Sequence, residues 1–174
     1  MIDTPGHGSF PSGHATESFM LANTLLKICA FPNTVAACEQ AFRHAERIAT
    51  NRVVAGVHFP VDSAAGMVLG WTLSEFFWKR MCAGSGGGCV YSRRFIGDTF
   101  SGDFVWSEVY EDYVKPQGTG AKLDGFEDNL QVPEEVRSGI EASPLLNWLL
   151  VKAREEWRDR AQDADAGRPQ ESGS

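Results

Sequence analysis

Arg52, His58 and Asp62 lie in the stretch NRVVAGVHFPVDS, residues 51–63, with five residues between the first two and three between the second pair. Positions 58 and 62 are four apart, so a helix that includes them, or nearly does, sets their side chains on one face. An Asp beside a His holds one ring nitrogen as a donor and leaves the other as a nucleophile or base. Arg52 adds a planar, permanently charged fork that suits phosphate oxygens. Together the three make an oxyanion site with an activated histidine.

A second stretch, PSGH at residues 11–14, supplies what that site lacks. Ser12 offers a hydroxyl, the Gly13 amide can be approached closely, and a helix N-terminus presents unpaired N–H groups with a partial positive charge. His14 then stands beside a bound anion with a proton to give. A nucleophilic His58 and an acidic His14 on opposite sides of one phosphorus would transfer a phosphoryl group without a metal. Taken singly, a His at a helix start, or an Arg ten residues from an Asp, reads as structural. By average composition PSGH arises on the order of once in a thousand chains of this length, and R-x5-H-x3-D about once in a hundred, so the two together ask for a functional reading.

The elements that must position these residues are helical. Pro11 and Gly13 break any earlier structure, and apolar residues then recur at Phe19, Ala22, Leu26 and Cys29, which predicts a helix over about 14–30. Asn33 can cap a second helix that Gly56 closes. Pro60 opens a third, apolar nearly all round and therefore central, and Ser143 with Pro144 opens a last amphipathic one. The expected organisation is a helical core over residues 1–82 and an acidic, partly irregular extension over 83–160 that ends in a helix. Residues 161–174 are expected to form a disordered tail.

Composition narrows the function classes. With 174 residues and 43% hydrophobic content the chain can build one sizeable core, and its net charge of -7 argues against a general nucleic-acid binder. The acidity is confined to the second half: residues 1–82 carry six Lys/Arg and six Asp/Glu, against ten and seventeen in the remainder, so the first half can hold an anion. The most apolar run, Ser63 to Trp78, is interrupted by Glu75 and reads as a buried helix rather than a membrane span. The first residues do not show the basic-then-apolar pattern of a signal peptide. Four cysteines show no zinc-like pairing; Cys82 and Cys89 flank a glycine-rich loop, and buried or free thiols are preferred to a bridge between them.

PSGH at 11–14 and NRVVAGVHFPVD at 51–62 resemble the second and third signature motifs of the type-2 phosphatidic acid phosphatase / vanadium haloperoxidase superfamily. The resemblance covers roughly residues 5–80. It implies an all-α helical bundle, with His58 as the phosphate-attacking nucleophile or vanadate ligand and Asp62 orienting it. Arg52, Ser12 and Gly13 would hold the oxyanion, and His14 would be the acid-base partner. Two positions depart from the family: Asn51 stands where the third motif has Ser, and the first motif, Lys-x6-Arg-Pro, is absent from these residues. Lys27 and Lys79 lie about 20 and 25 Å along their helices from the motif residues, and Arg47 points about 140° round from Arg52, so none substitutes. His7 is the nearest alternative. The chain is accordingly expected to be the C-terminal portion of a longer protein.

The leading expectation is a metal-independent phosphatase that acts on a small phosphorylated substrate through a phosphohistidine on His58, with no cofactor. A vanadate-dependent haloperoxidase is the alternative within the superfamily, and an inactive helical interaction module is the alternative outside it. A membrane lipid phosphatase is disfavoured by Glu17, Lys27 and Glu75. A homo-oligomer is compatible with this reading, and a periplasmic or secreted location is expected if a signal peptide lies upstream.

Overall fold

The computed structural model describes residue 6 and residues 8–29, 35–82, 90–91, 93–114 and 140–166. Among them the regular elements are all helices: α1 Gly13–Ile28, α2 Val35–Val54, α3 Pro60–Met81, a short α4 Trp106–Val109 that continues into a π turn at Tyr110–Val114, and α5 Pro144–Ala166. A 3-10 turn, Gly97–Thr99, lies ahead of α4. The fold is all-α, as the periodicity predicts.

Helix ends follow local chemistry. Ser12 caps α1 by accepting from the Ala15 amide at 3.3 Å. Gly56, with φ at 73°, terminates α2 in the left-handed region that costs glycine little. Pro60 opens α3 where its missing N–H has no cost. At α5 the Ser143 hydroxyl accepts from Leu146 N at 3.4 Å and its carbonyl from Asn147 N at 2.9 Å. Asn33, the expected cap of α2, lies outside the described residues. α5 runs through Ala166, into the stretch expected as a disordered tail, because its alanines favour helix and no breaker occurs before Gly167.

The packing of α1 on α3 is backbone on backbone. A Cβ added at Gly66 would stand 2.6 Å from the Ser12 carbonyl oxygen, and one at Gly70 would collide with the Thr16 carbonyl and approach Met20 N at 3.1 Å. One turn on, the Asn23 amide donates to the Ser74 hydroxyl at 2.5 Å in the buried interface. These contacts advance in the same direction along both chains, so α1 and α3 run parallel, with their N-termini at one end. α3 also touches α2, α4 and α5, which makes it the central helix that its all-round apolar character predicts.

The extension enters the same core. Phe19 of α1 stacks on Phe42 of α2 at 6.5 Å and meets Phe104 edge-on at 5.9 Å, while Phe42 lies between Trp71 at 4.9 Å and Trp106 at 5.1 Å. Phe104, Val109 and Val114 are buried with Ala15, Phe19, Ala49 and Met67. Polar groups anchor the wrap. The Arg93 guanidinium forks onto both Glu75 oxygens at 2.7 Å, and also donates to the Val114 carbonyl and to Thr72. Glu75 therefore serves a buried ion pair on the face of α3 turned to the extension. Arg93 and Glu75 side chains are only 5% and 11% exposed, so Arg93→Ala strands a carboxylate in the interior. Its expected cost is about 3–5 kcal/mol by denaturant unfolding, and Arg93→Lys, lacking the planar fork, recovers only part.

At the far end of α1, Lys27 Nζ and the Arg154 guanidinium lie over the Trp78 ring at 5.9 and 5.4 Å. Burial pushes the Lys27 ammonium below its ordinary range, against the pull of Glu75. Cys82 is an unbridged thiol, and Cys89 lies outside the described residues. Among the described residues no helix is long and apolar enough to cross a membrane.

Candidate active site

His58 precedes the helix that carries Asp62, and the pair meets by a route other than a shared helical face. Asp62, in the first turn of α3, folds its carboxylate back: Oδ2 accepts the Phe59 N–H at 2.8 Å and faces His58 Nδ1 at 3.4 Å. An acid there also complements the positive end of α3. Both side chains are buried, at 6% and 4% exposure. With Nδ1 directed at a carboxylate, the tautomer this contact favours carries its proton on Nδ1 and leaves the lone pair on Nε2.

Ser12 ties the two motifs together. Its amide donates to the Asp62 carbonyl at 2.9 Å, its hydroxyl accepts from Ala15 N, and its carbonyl accepts from both Thr16 N at 3.0 Å and Thr16 Oγ1 at 2.9 Å. The fully buried Ser12 therefore spends its groups on holding the start of α1 against the start of α3. Gly66 and Gly70 permit this, since any larger residue would lift α1 away. Beyond Ser12, the Gly13 and His14 amides occupy the first turn without an intrachain acceptor among the described residues, and both residues are exposed.

Arg52 lies in the last turn of α2, half-buried, and the short connection through Gly56 keeps it at the same end. Its carbonyl accepts from Val57 N at 3.2 Å, whereas its Nε is buried with no hydrogen-bond partner among the described residues. A buried, unpaired guanidinium N–H is costly, and an anion is one kind of group that can satisfy it. Asn51 is exposed on α2, and His7 lies outside the described residues. The structure thus bonds Ser12 to Asp62 and sets Asp62 against His58. Gly13, His14 and Arg52 stand at the same end without a direct bond to that pair. Two concavities lie elsewhere, one lined by Asp103, Glu108 and Asp112, the other by Glu39, Arg43 and Glu46, and neither includes a motif residue.

Gly66 and Gly70 are the positions that a search for reactive side chains overlooks. Their four-residue spacing within an otherwise apolar helix was the available signal for a close helix approach.

With this geometry in hand, comparison with known proteins is direct. The family model of the PAP2 superfamily matches residues 2–83, the segment that carries both motifs. Two curated relatives, each a decaprenylphosphoryl-5-phosphoribose phosphatase from a strain of Mycobacterium tuberculosis (CDC 1551 / Oshkosh and H37Rv), are 35% identical over 72 residues. The matched region covers 41% of this chain and 37% of each relative, so the chain spans well under half the length of the relatives it matches. No solved structure matches the chain.

Proposed function

We propose that the end of the bundle formed by α1, α3 and the last turn of α2 is the nucleophile side of a phosphatase active site working through a phosphohistidine. The observation that carries this reading is the Asp62 carboxylate, pinned by the Phe59 amide and facing His58 Nδ1 at 3.4 Å. That arrangement suits a histidine whose other nitrogen attacks. In the proposed reaction, the Gly13 and His14 amides and the Arg52 guanidinium hold the non-bridging oxygens of a phosphate monoester. His58 Nε2 attacks phosphorus and forms a P–N bond as the P–O bond to the organic group breaks. His14 gives its proton to the departing oxygen. Asp62 balances the positive charge that the ring then carries. Water, deprotonated by His14, cleaves the P–N bond, releasing inorganic phosphate and restoring His58.

The test is to mix the protein with a 32P-labelled phosphate monoester, quench in alkali and follow the label on the chain. A phosphohistidine survives alkali and is lost in acid. The expected result is acid-labile label in the parent protein and none in His58→Ala. Oxidation of bromide by peroxide on addition of vanadate, with no ester hydrolysis, would instead assign the site to haloperoxidase chemistry.

A further inference from the structure

The last helix is apolar on two sides, and the bundle uses one of them. α5 joins the bundle at the end opposite the motif residues: the Ser143 amide donates to the Arg80 carbonyl and the Asn147 side-chain amide to the Met81 carbonyl, each at 2.8 Å. On that inward side Leu146 and Asn147 are half-buried and Leu150 is buried. Leu145, Trp148 and Leu149 face the other way, at 66%, 56% and 47% exposure. Spaced i, i+3 and i+4, they form one outward strip over the first two turns. A contiguous strip of this kind marks an interaction surface, which scattered single apolar residues do not. Charge closes it at both ends. Exposed Glu141 lies just ahead of the helix, and exposed Lys152, at i+7 from Leu145, continues the same face.

We propose that this strip is a self-association surface, on which the α5 helices of two copies of the chain pair antiparallel about a twofold axis at the level of residue 147. The charges decide the occupant. An anion at one end of an apolar strip and a cation at the other are self-complementary under a twofold, which sets Glu141 of one copy beside Lys152 of the other. Within one chain these two are eleven residues apart, about 16 Å along a helix, so they cannot pair with each other. Lys152 does bond Glu155 of its own chain at 2.7 Å, but both side chains are about half exposed, and such a pair contributes little and is readily shared. An anionic membrane suits the strip less well, because the acids Glu155 and Glu156 follow it immediately. α5 lies outside residues 2–83, so the proposal stands independently of the phosphatase reading.

Sedimentation equilibrium of the full chain tests this, over a range of about 5 to 500 µM, since so small a strip should give a dimer with a Kd on the order of 10–100 µM. Trp148→Ala removes the side chain nearest the axis and should weaken the dimer about tenfold or more. The ring is exposed, so the monomer's circular dichroism and melting should not change. Glu141→Lys and Lys152→Glu should each weaken the dimer about three- to tenfold, and the double variant should return to within about twofold of the parent. A chain that stays monomeric throughout that range, or a dimer indifferent to Trp148→Ala, overturns the proposal. Weakening by Trp148→Ala without rescue by the double swap overturns the antiparallel pairing. A monomer that instead binds vesicles of phosphatidylcholine and phosphatidylglycerol, and loses that binding in Trp148→Ala, also overturns it and assigns the strip to a lipid surface.

Discussion

His58→Ala should leave a folded helical protein whose phosphate-ester hydrolysis is at background. In the proposed reaction His58 Nε2 makes the bond to phosphorus, and no neighbouring group can take over that bond, so kcat should fall by roughly 10⁴-fold or more. Stability should change far less, by about 1–2 kcal/mol, since the change removes one buried ring that makes a single long polar contact at 3.4 Å. Asp62→Asn separates orientation from attack. The amide side chain can still accept the Phe59 N–H through its oxygen, but it no longer neutralises a positive imidazolium or enforces the Nδ1–H tautomer. The expected loss is about 10³- to 10⁴-fold in kcat with KM nearly unchanged, measured under saturating substrate. If Asp62→Asn instead raised KM and spared kcat, the carboxylate would be a structural cap and the mechanism would need another arrangement.

The second large effect is on stability, at Gly70. Alanine there is among the mildest substitutions available, and in a helix interior it is normally stabilising by up to about 1 kcal/mol. At this position the added carbon would collide with the Thr16 carbonyl and crowd Met20 N at 3.1 Å, both backbone atoms that no side-chain rotation can relieve. Gly70→Ala should therefore cost about 3 kcal/mol, seen as a lowered urea midpoint with an unchanged slope. Activity should fall with it even under conditions where the protein stays folded, because displacement of α1 carries Ser12 off the Asp62 carbonyl. Gly13→Ala is the informative contrast: nothing lies within 4 Å of a Cβ at that position, so stability should hold. A Gly70→Ala variant as stable as the parent would show that the helices can separate at little cost and that their closeness is not what assembles the site.

Much of this was legible in the chain. The PSGH turn and the Arg-His-Asp spacing point to an oxyanion site, and breaking and capping residues place three of the four long helix starts, Pro11 with Gly13 for α1, Pro60 for α3 and Ser143 with Pro144 for α5, because these are local effects of a residue on its own backbone; that the Ser12 hydroxyl caps α1 emerged only from the structure. What the pattern left open was long-range. The spacing of His58 and Asp62 suggested a shared helical face, yet His58 stands outside the helix and Asp62 reaches back to it. That choice depends on the Phe59 amide needing an acceptor at the start of α3. The Ser12 amide bond to Asp62 spans fifty residues of sequence, and no local preference announces it. Glu75 was legible only as a charge unsuited to a membrane span; its partner Arg93 lies in a stretch with no sustained periodicity, so the pair becomes visible only once the chain has wrapped.

That wrap separates two boundaries that are easily equated. The family segment ends at residue 83, but the aromatic stack around Phe42 is completed by Trp106, and the carboxylate of Glu75 is neutralised from position 93. A piece cut at the end of the family segment would keep every motif residue described above and lose the aromatic lining of its interior, along with the counter-ion for a buried charge. The segment that the family model matches and the segment that packs into one core therefore differ, and the helices that carry the motif residues have their packing completed from outside the match.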